Sequence, residues 1–158
     1  MLACHAPQAL TLLADPSAEE RAVLGSLHTT KNRAVLHTDQ QFLPKNIHAR
    51  ASWNYDLGAN RQAPTLTYDM SRLQRLSASE IYSVTLNPPR RIDQQKVLRD
   101  LIYSHPLYTL EAIRAQARWS EISAQRHTHY CGAYWFNGFH EDGLNSALRV
   151  ARSFGVEW

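Results

Sequence analysis

The sequence predicts an α+β fold, with a mostly antiparallel sheet in the middle of the chain and helices at both ends. Three observations point there. Residues 17–27 and 109–118 carry apolar side chains at helical spacing. Between them, short alternating or β-branched runs are cut by turn formers such as Asn87-Pro88-Pro89. Residues 142–154 then return to a helical stripe of Leu144, Ala147, Leu148 and Ala151.

Taken in order, Leu2 to Ala6 read as a short apolar strand that stops at Pro7, and Pro7 suits the first turn of a helix over 8–14. Asp15-Pro16 breaks it. Ser17 with Glu20 three residues later forms a capping-box pattern, opening a second helix to about Leu27 with Ala22, Val23 and Leu27 on one face. Residues 34–38 read as a strand. So do 51–55, where Trp53 and Tyr55 alternate with small or polar residues. A turn is expected at 56–60. Leu66, Tyr68 and Met70 alternate again, 71–76 reads as a helical turn, and 81–86 as a strand that ends at the prolines. A strand over 98–103 precedes a helix over 109–118 with Leu110, Ile113 and Ala117 on one side, and a short last strand is expected at 128–133. The strand-like ends at 1–6 and 128–133 have no evident sheet neighbours in the chain.

Bulk composition sets the class. The chain has 158 residues, 44% hydrophobic and 20% charged, with a formal net charge of +3, which reads as soluble and globular. Lys and Arg are scattered, Arg90-Arg91 excepted, so no basic stripe supports nucleic-acid binding. Cys4 and Cys131 make no disulfide framework, and a reducing, cytoplasmic setting fits. No apolar run is long enough to span a membrane, and the N-terminus lacks the basic region and cleavage pattern of a signal peptide.

The stretch GAYWFNGFHEDG, residues 132–143, combines glycines, aromatics and two acids just before the last helix. Glycines let a backbone approach something bulky, and a helix N-terminus offers free N–H groups and partial positive charge. The stretch is therefore expected to receive a ligand.

With these residues in view the chain resembles the C-terminal half of bacterial FAD-dependent oxidoreductases related to flavin-containing amine oxidases. The blocks that carry the likeness are LACHAPQALTLL, NRAVLHTDQQFLP, ASWNY, SRLQRL, VTLNPP, YSHPLYTLEAIRAQ and GAYWFNGFHEDGLNSALRVA, in that order over nearly the whole chain. The resemblance implies that residues 1–30 leave an FAD domain of the two-dinucleotide-binding type. It implies that 31–125 belong to a substrate domain, and that 126–158 return to the FAD domain as its last strand and helix. It implies two-electron oxidation or desaturation of an amine-like or hydrophobic substrate, with FAD as the acceptor. The cofactor-binding residues it implies are Gly132, Ala133, Trp135, Gly138, Phe139, His140, Glu141, Asp142 and Gly143. Asp142 has a second reading, as a cap of the last helix. Tyr134 would wall the flavin and substrate pocket, while Trp53 and Tyr55 either line the substrate cavity or pack in the sheet's core. The sequence departs from the family in lacking any GxGxxG turn to cradle the pyrophosphate. Phe136-Asn137 and Asp69 also stand where the family usually shows other residues. The chain thus reads as a truncated or split oxidoreductase, a gene fragment or the C-terminal part of a longer protein; on the split reading a separate chain bearing the FAD-binding half is a partner, beside a small-molecule substrate.

No catalytic acid or base is forced by the sequence; His37 and His105 are the pocket candidates. Two rival readings remain. His127-x-His129-x-Cys131 on one strand face, with Cys4 and His5 nearby, would suit a metal such as zinc, although the spacing matches no standard module. Alternatively the chain is a non-catalytic module that binds a ligand or partner through exposed apolar edges.

Overall fold

The computed structural model describes residues 1–57 and 65–156. Residues 58–60 of the expected turn lie outside the described residues. The chain divides into two compact units, one made of residues 1–30 and 105–158, the other of 31–104. Residues 105–125, grouped by sequence with the middle of the chain, thus belong with its two ends.

The terminal unit is helical. α1 (Ala6–Leu12) carries Pro7 in its first turn and buries Ala6 and Ala9. α2 (Ala18–Gly25) opens on the expected capping box: Glu20 N–H donates to Ser17 Oγ at 3.1 Å, and Ser17 N–H donates to the Glu20 carboxylate at 2.7 Å. α4 (Leu110–Ala117) is capped by Thr109, whose hydroxyl accepts from Ala112 N–H. It is followed by the short α5 (Trp119–Ile122) and by the longest helix, α6 (His140–Ser153). Ala6, Ala9, Val23, Leu24, Leu27, Ala112, Ala115, Ile122, Tyr130, Tyr134 and Trp135 form the core of this unit.

The expected apolar stripe of α4 faces the other way, and that of α6 is only partly turned in. α4 buries Ala112 and Ala115, not the Leu110–Ile113 side, and Leu110 is 78% exposed. α6 buries Ser146 and Val150 against the chain, while Leu144 is exposed. In α4 small residues permit the close approach and the bulky side is left outward; in α6 Ala147, Leu148 and Ala151 of the stripe are half-buried and Leu144 lies outward. The expected strand over 128–133 reduces to two isolated bridges, Gln125 to Thr128 antiparallel and Leu2 to Tyr130 parallel, the latter held by Leu2 N–H to His129 O at 2.7 Å and Cys131 N–H to Leu2 O at 3.1 Å. The two strand-like ends thus find each other.

The middle unit is built on a five-stranded sheet in the order β2-β3-β4-β1-β5. The strands are β1 (Thr29–His37), β2 (Trp53–Asp56), β3 (Thr65–Asp69), β4 (Ser83–Leu86) and β5 (Val97–Pro106), with the one-turn helix α3 (Met70–Leu73) after β3. β2–β3, β3–β4 and β4–β1 are antiparallel. The chain is therefore α+β with an antiparallel sheet, as the alternating segments required. β5 is exposed on nearly every residue and is tied to β1 by the fork of Arg33 on Asp100 at 2.7 Å.

The faces of the sheet invert the usual arrangement. Register aligns Val35, Thr85, Thr67 and Asn54 in one buried row, and His37, Ser83 and Asp69 in the next. Burial of such groups calls for partners, which most of them find, Ser83 Oγ excepted among the described residues. His37 Nε2 meets Thr85 Oγ1 at 2.8 Å, and Thr85 meets Thr67 Oγ1 at 2.9 Å. The opposite face carries Trp53, Tyr68, Val84 and Leu36 in one row, and Tyr55, Leu66, Leu86 and Ala34 in the other. Among the described residues no helix is long and apolar enough to cross a membrane.

Candidate functional site

The segment 132–143 is shaped by its glycines. Gly132 has φ 153° and Gly138 φ 92°, and a Cβ at Gly138 would lie 2.5 Å from Tyr108 Oη. Only glycine suits that backbone and that contact. Between them, Ala133–Trp135 forms a single 3-10 turn, and Ala133 O accepts the N–H groups of Phe136 and Gly138. Gln116 of α4 pins the segment from the side, donating both amide hydrogens, to Tyr134 O at 2.8 Å and to Phe136 O at 2.7 Å. Ser146 of α6 accepts from Gly132 N–H at 2.8 Å. The Gly143 side of α6 faces Ala133.

Tyr134 is 6% exposed and Trp135 2%, their rings 5.3 Å apart, yet the Tyr134 hydroxyl and the Trp135 Nε1 have no hydrogen-bond partner among the described residues. Buried donors without acceptors are costly, so such a pair is uncommon outside functional sites. Burial, with Cys4 adding to it, pushes the Tyr134 phenol far above the usual tyrosine range. The neighbouring indole N–H offsets this only in part, without reaching hydrogen-bond geometry. Tyr134 is therefore a neutral donor.

The start of α6 has its own chemistry. The N-cap residue is Phe139, whose side chain accepts nothing, so the amides of His140, Glu141 and Asp142 gain no cap from it. Asp142 is not the N-cap; it sits at the third helical position and accepts from Phe139 N–H at 2.9 Å. Its side chain does close the start of the helix as an acceptor, reaching back to the N–H before the helix rather than forward to one inside it. Two first-turn acids oppose a phosphate at this tip, while a neutral carbonyl acceptor is compatible with it. Phe139, His140, Glu141 and Gly138 are exposed; Ala133, Asp142 and Gly143 are half-buried.

Beside this segment a narrow cleft is lined by His5, Leu27, His28, Leu107, Tyr108 and Tyr134, among others. It admits a water-sized molecule, not a ring system. Burial, then the charge of Asp142, pushes the Tyr108 phenol up. Gln116 and Tyr108 were not singled out by sequence. Their only local signals are a polar residue beside the alanine side of α4 and an aromatic just before its cap.

The other candidates lie elsewhere. Trp53 and Tyr55, in the middle unit, are 57% and 65% exposed on the apolar sheet face, so they are not core. Asn54 between them is the buried residue of that strand. His37 is fully buried with both ring nitrogens engaged, Nδ1 accepting from Asp39 N–H at 3.1 Å, and His105 is exposed on β5. The metal reading fails on geometry. Residues 127–131 form no strand face. His127 is exposed at φ 58°, and His129 stacks on Phe154. Among the described residues no three His, Cys, Asp or Glu side chains converge.

No protein-family model matches the chain, and no curated protein matches it.

Proposed function

We propose that this chain is the substrate-domain and flavin-facing part of an FAD-dependent oxidoreductase, whose nucleotide-binding βαβ unit lies outside these residues. In the complete enzyme the reaction is two-electron oxidation or desaturation of an amine-like or hydrophobic substrate, in a reducing cytoplasm. The observation that carries the reading is the pair of buried, unpartnered donors, Tyr134 O–H and Trp135 N–H, in the segment where the resemblance puts the flavin. The pyrimidine side of an isoalloxazine offers acceptors at N1, N5 and the C2 and C4 carbonyls, with one donor at N3–H, so the two donors suit its acceptor positions. The absence of GxGxxG and the acids at the α6 tip do not suit its diphosphate.

Bound flavin would supply the two-electron acceptor. The chain's own part is binding and orientation. Gly138 and Gly143 would allow close approach, and Tyr134 and Trp135 would donate to ring acceptors once the segment opens, the acids at the α6 tip leaving its amides to a neutral acceptor. Trp53, Tyr55 and the apolar rows beside them give the middle unit an uncharged face of its own.

A non-catalytic binding module is the second reading. It is favoured by the exposed apolar residues Leu98, Leu101, Ile102 and Tyr103 of β5 and Leu110 and Ile113 of α4. Riboflavin separates the two. On the flavin reading its fluorescence is quenched by the chain, and Tyr134→Phe and Trp135→Phe each weaken the effect. Quenching that survives both substitutions, or none at all, leaves the binding-module reading standing.

A further inference from the structure

Arg149 lies on α6, and its guanidinium is held between two rings, with Cζ 3.8 Å from the Trp119 ring centroid and 5.1 Å from that of Phe136. Trp119 is fixed in turn, since its Nε1 donates to Tyr130 O at 2.7 Å. The stacking fixes the plane of the cation and leaves its edge to seek acceptors. Yet Nε and Nη2, the two nitrogens of the side-on edge, are buried without an acceptor among the described residues. Other arginines of the chain have theirs: Arg33 on Asp100, Arg118 on Glu121, Arg126 on Asp15 and Glu20. Burial pushes the Arg149 guanidinium below its usual range, as expected for a cation with no counter-charge.

We propose that Arg149 is an oxyanion-binding residue, taking a carboxylate or phosphate group bidentately on its Nε–Nη2 edge. Bidentate geometry on that edge is what a guanidinium offers best, and it removes the cost of two buried unmet donors at once. Trp119 is the fixed wall. Phe136 ends the 3-10 turn, next to the exposed residues 137–139, and is the wall that shifts to admit the ligand. The inference does not rest on flavin binding.

The test is a titration of the full chain with sodium phosphate and, separately, sodium acetate, against sodium chloride at matched ionic strength. It reads the melting temperature and the indole fluorescence. The expected result is a saturable rise in melting temperature and a fluorescence change with phosphate, acetate or both, in the millimolar range. Which anion acts identifies the source of the oxyanion. Arg149→Met, which removes the charge and keeps most of the volume, is expected to abolish the response. Arg149→Lys, which keeps charge without the fork, is expected to weaken it about tenfold. No response beyond that to chloride overturns the proposal. So does a response that either substitution leaves unchanged. Should Arg149→Met fail to fold, the lysine variant alone decides.

Discussion

The hydroxyl of Tyr130 donates to the carboxylate of Glu20 at 2.5 Å, and both groups are buried. Glu20 also accepts from Ser17 N–H and lies 3.5 Å from an Arg126 nitrogen, while Arg126 bridges on to Asp15. One carboxylate thus closes the cap of α2 and holds the 124–130 loop, in which Ala124, Arg126 and His127 all have positive φ. Positive φ in non-glycine residues costs energy, and these contacts offset it.

Tyr130→Phe is accordingly expected to destabilise the chain by about 1–3 kcal/mol, because a buried carboxylate loses a donor. Glu20→Gln should also destabilise, through loss of the Arg126 contact. Chemical denaturation monitored by circular dichroism checks both. Burial, joined by Glu20, raises the Tyr130 phenol well above its usual range, and burial raises Tyr134 likewise. The fold keeps protons that the unfolded chain releases above pH of about 10, so stability falls as pH rises past that point. Tyr130→Phe should reduce the slope there.

At the acid end His37 and Asp39 act in separate windows. Burial lowers the His37 imidazole, with Asp39 opposing. The unfolded chain therefore takes up a proton below about pH 6.5 that the fold resists, and stability declines as pH falls from there. For Asp39, burial alone would raise the carboxyl; the N–H groups of Asp93 and Gln41 and the Gln41 amide outweigh it and hold it low. Its stabilisation is present above about pH 4 and is lost as pH falls through the depressed value. Thermal melts from pH 8 to 3 should show both steps, and His37→Gln should flatten only the first.

Gly138→Val is expected to cost about 1–3 kcal/mol, since φ 92° disfavours a β-branched residue and the new side chain meets Tyr108. Gly138→Ala should cost less, as the exposed Tyr108 ring can shift. Riboflavin quenching should drop in the valine variant even where circular dichroism shows a folded chain.

Gln116→Leu removes both clamps on the Tyr134 and Phe136 carbonyls. A loss of about 1–3 kcal/mol is expected, with faster hydrogen exchange confined to residues 133–139. Exchange unchanged in that stretch would contradict the clamp.

Much of the secondary structure was legible. Ser17 with Glu20 marked the start of α2, and alternation marked β2 and β3, because caps and period-2 runs are local signals. The burial pattern was not. Sequence favoured Leu110, Ile113 and Leu144 as buried, but packing chose Ala112, Ala115 and Ser146, whose size lets backbones approach. The buried polar rows of the sheet were illegible for the same reason: Thr67, Thr85 and His37 satisfy one another only once register is set. Glycines and aromatics in 132–143 flagged the candidate segment, while Gln116 and Tyr108 reach it from positions distant in sequence.

The central claim is that the ring of a flavin, and not its nucleotide tail, is what this chain recognises. Equilibrium titration of the 158 residues with riboflavin and with FAD, read by flavin fluorescence, tests it directly. The account predicts weak binding of both, with affinities equal within about threefold, since the adenine and diphosphate find no cradle here. Submicromolar binding of FAD with little of riboflavin, or no binding of either, would contradict it.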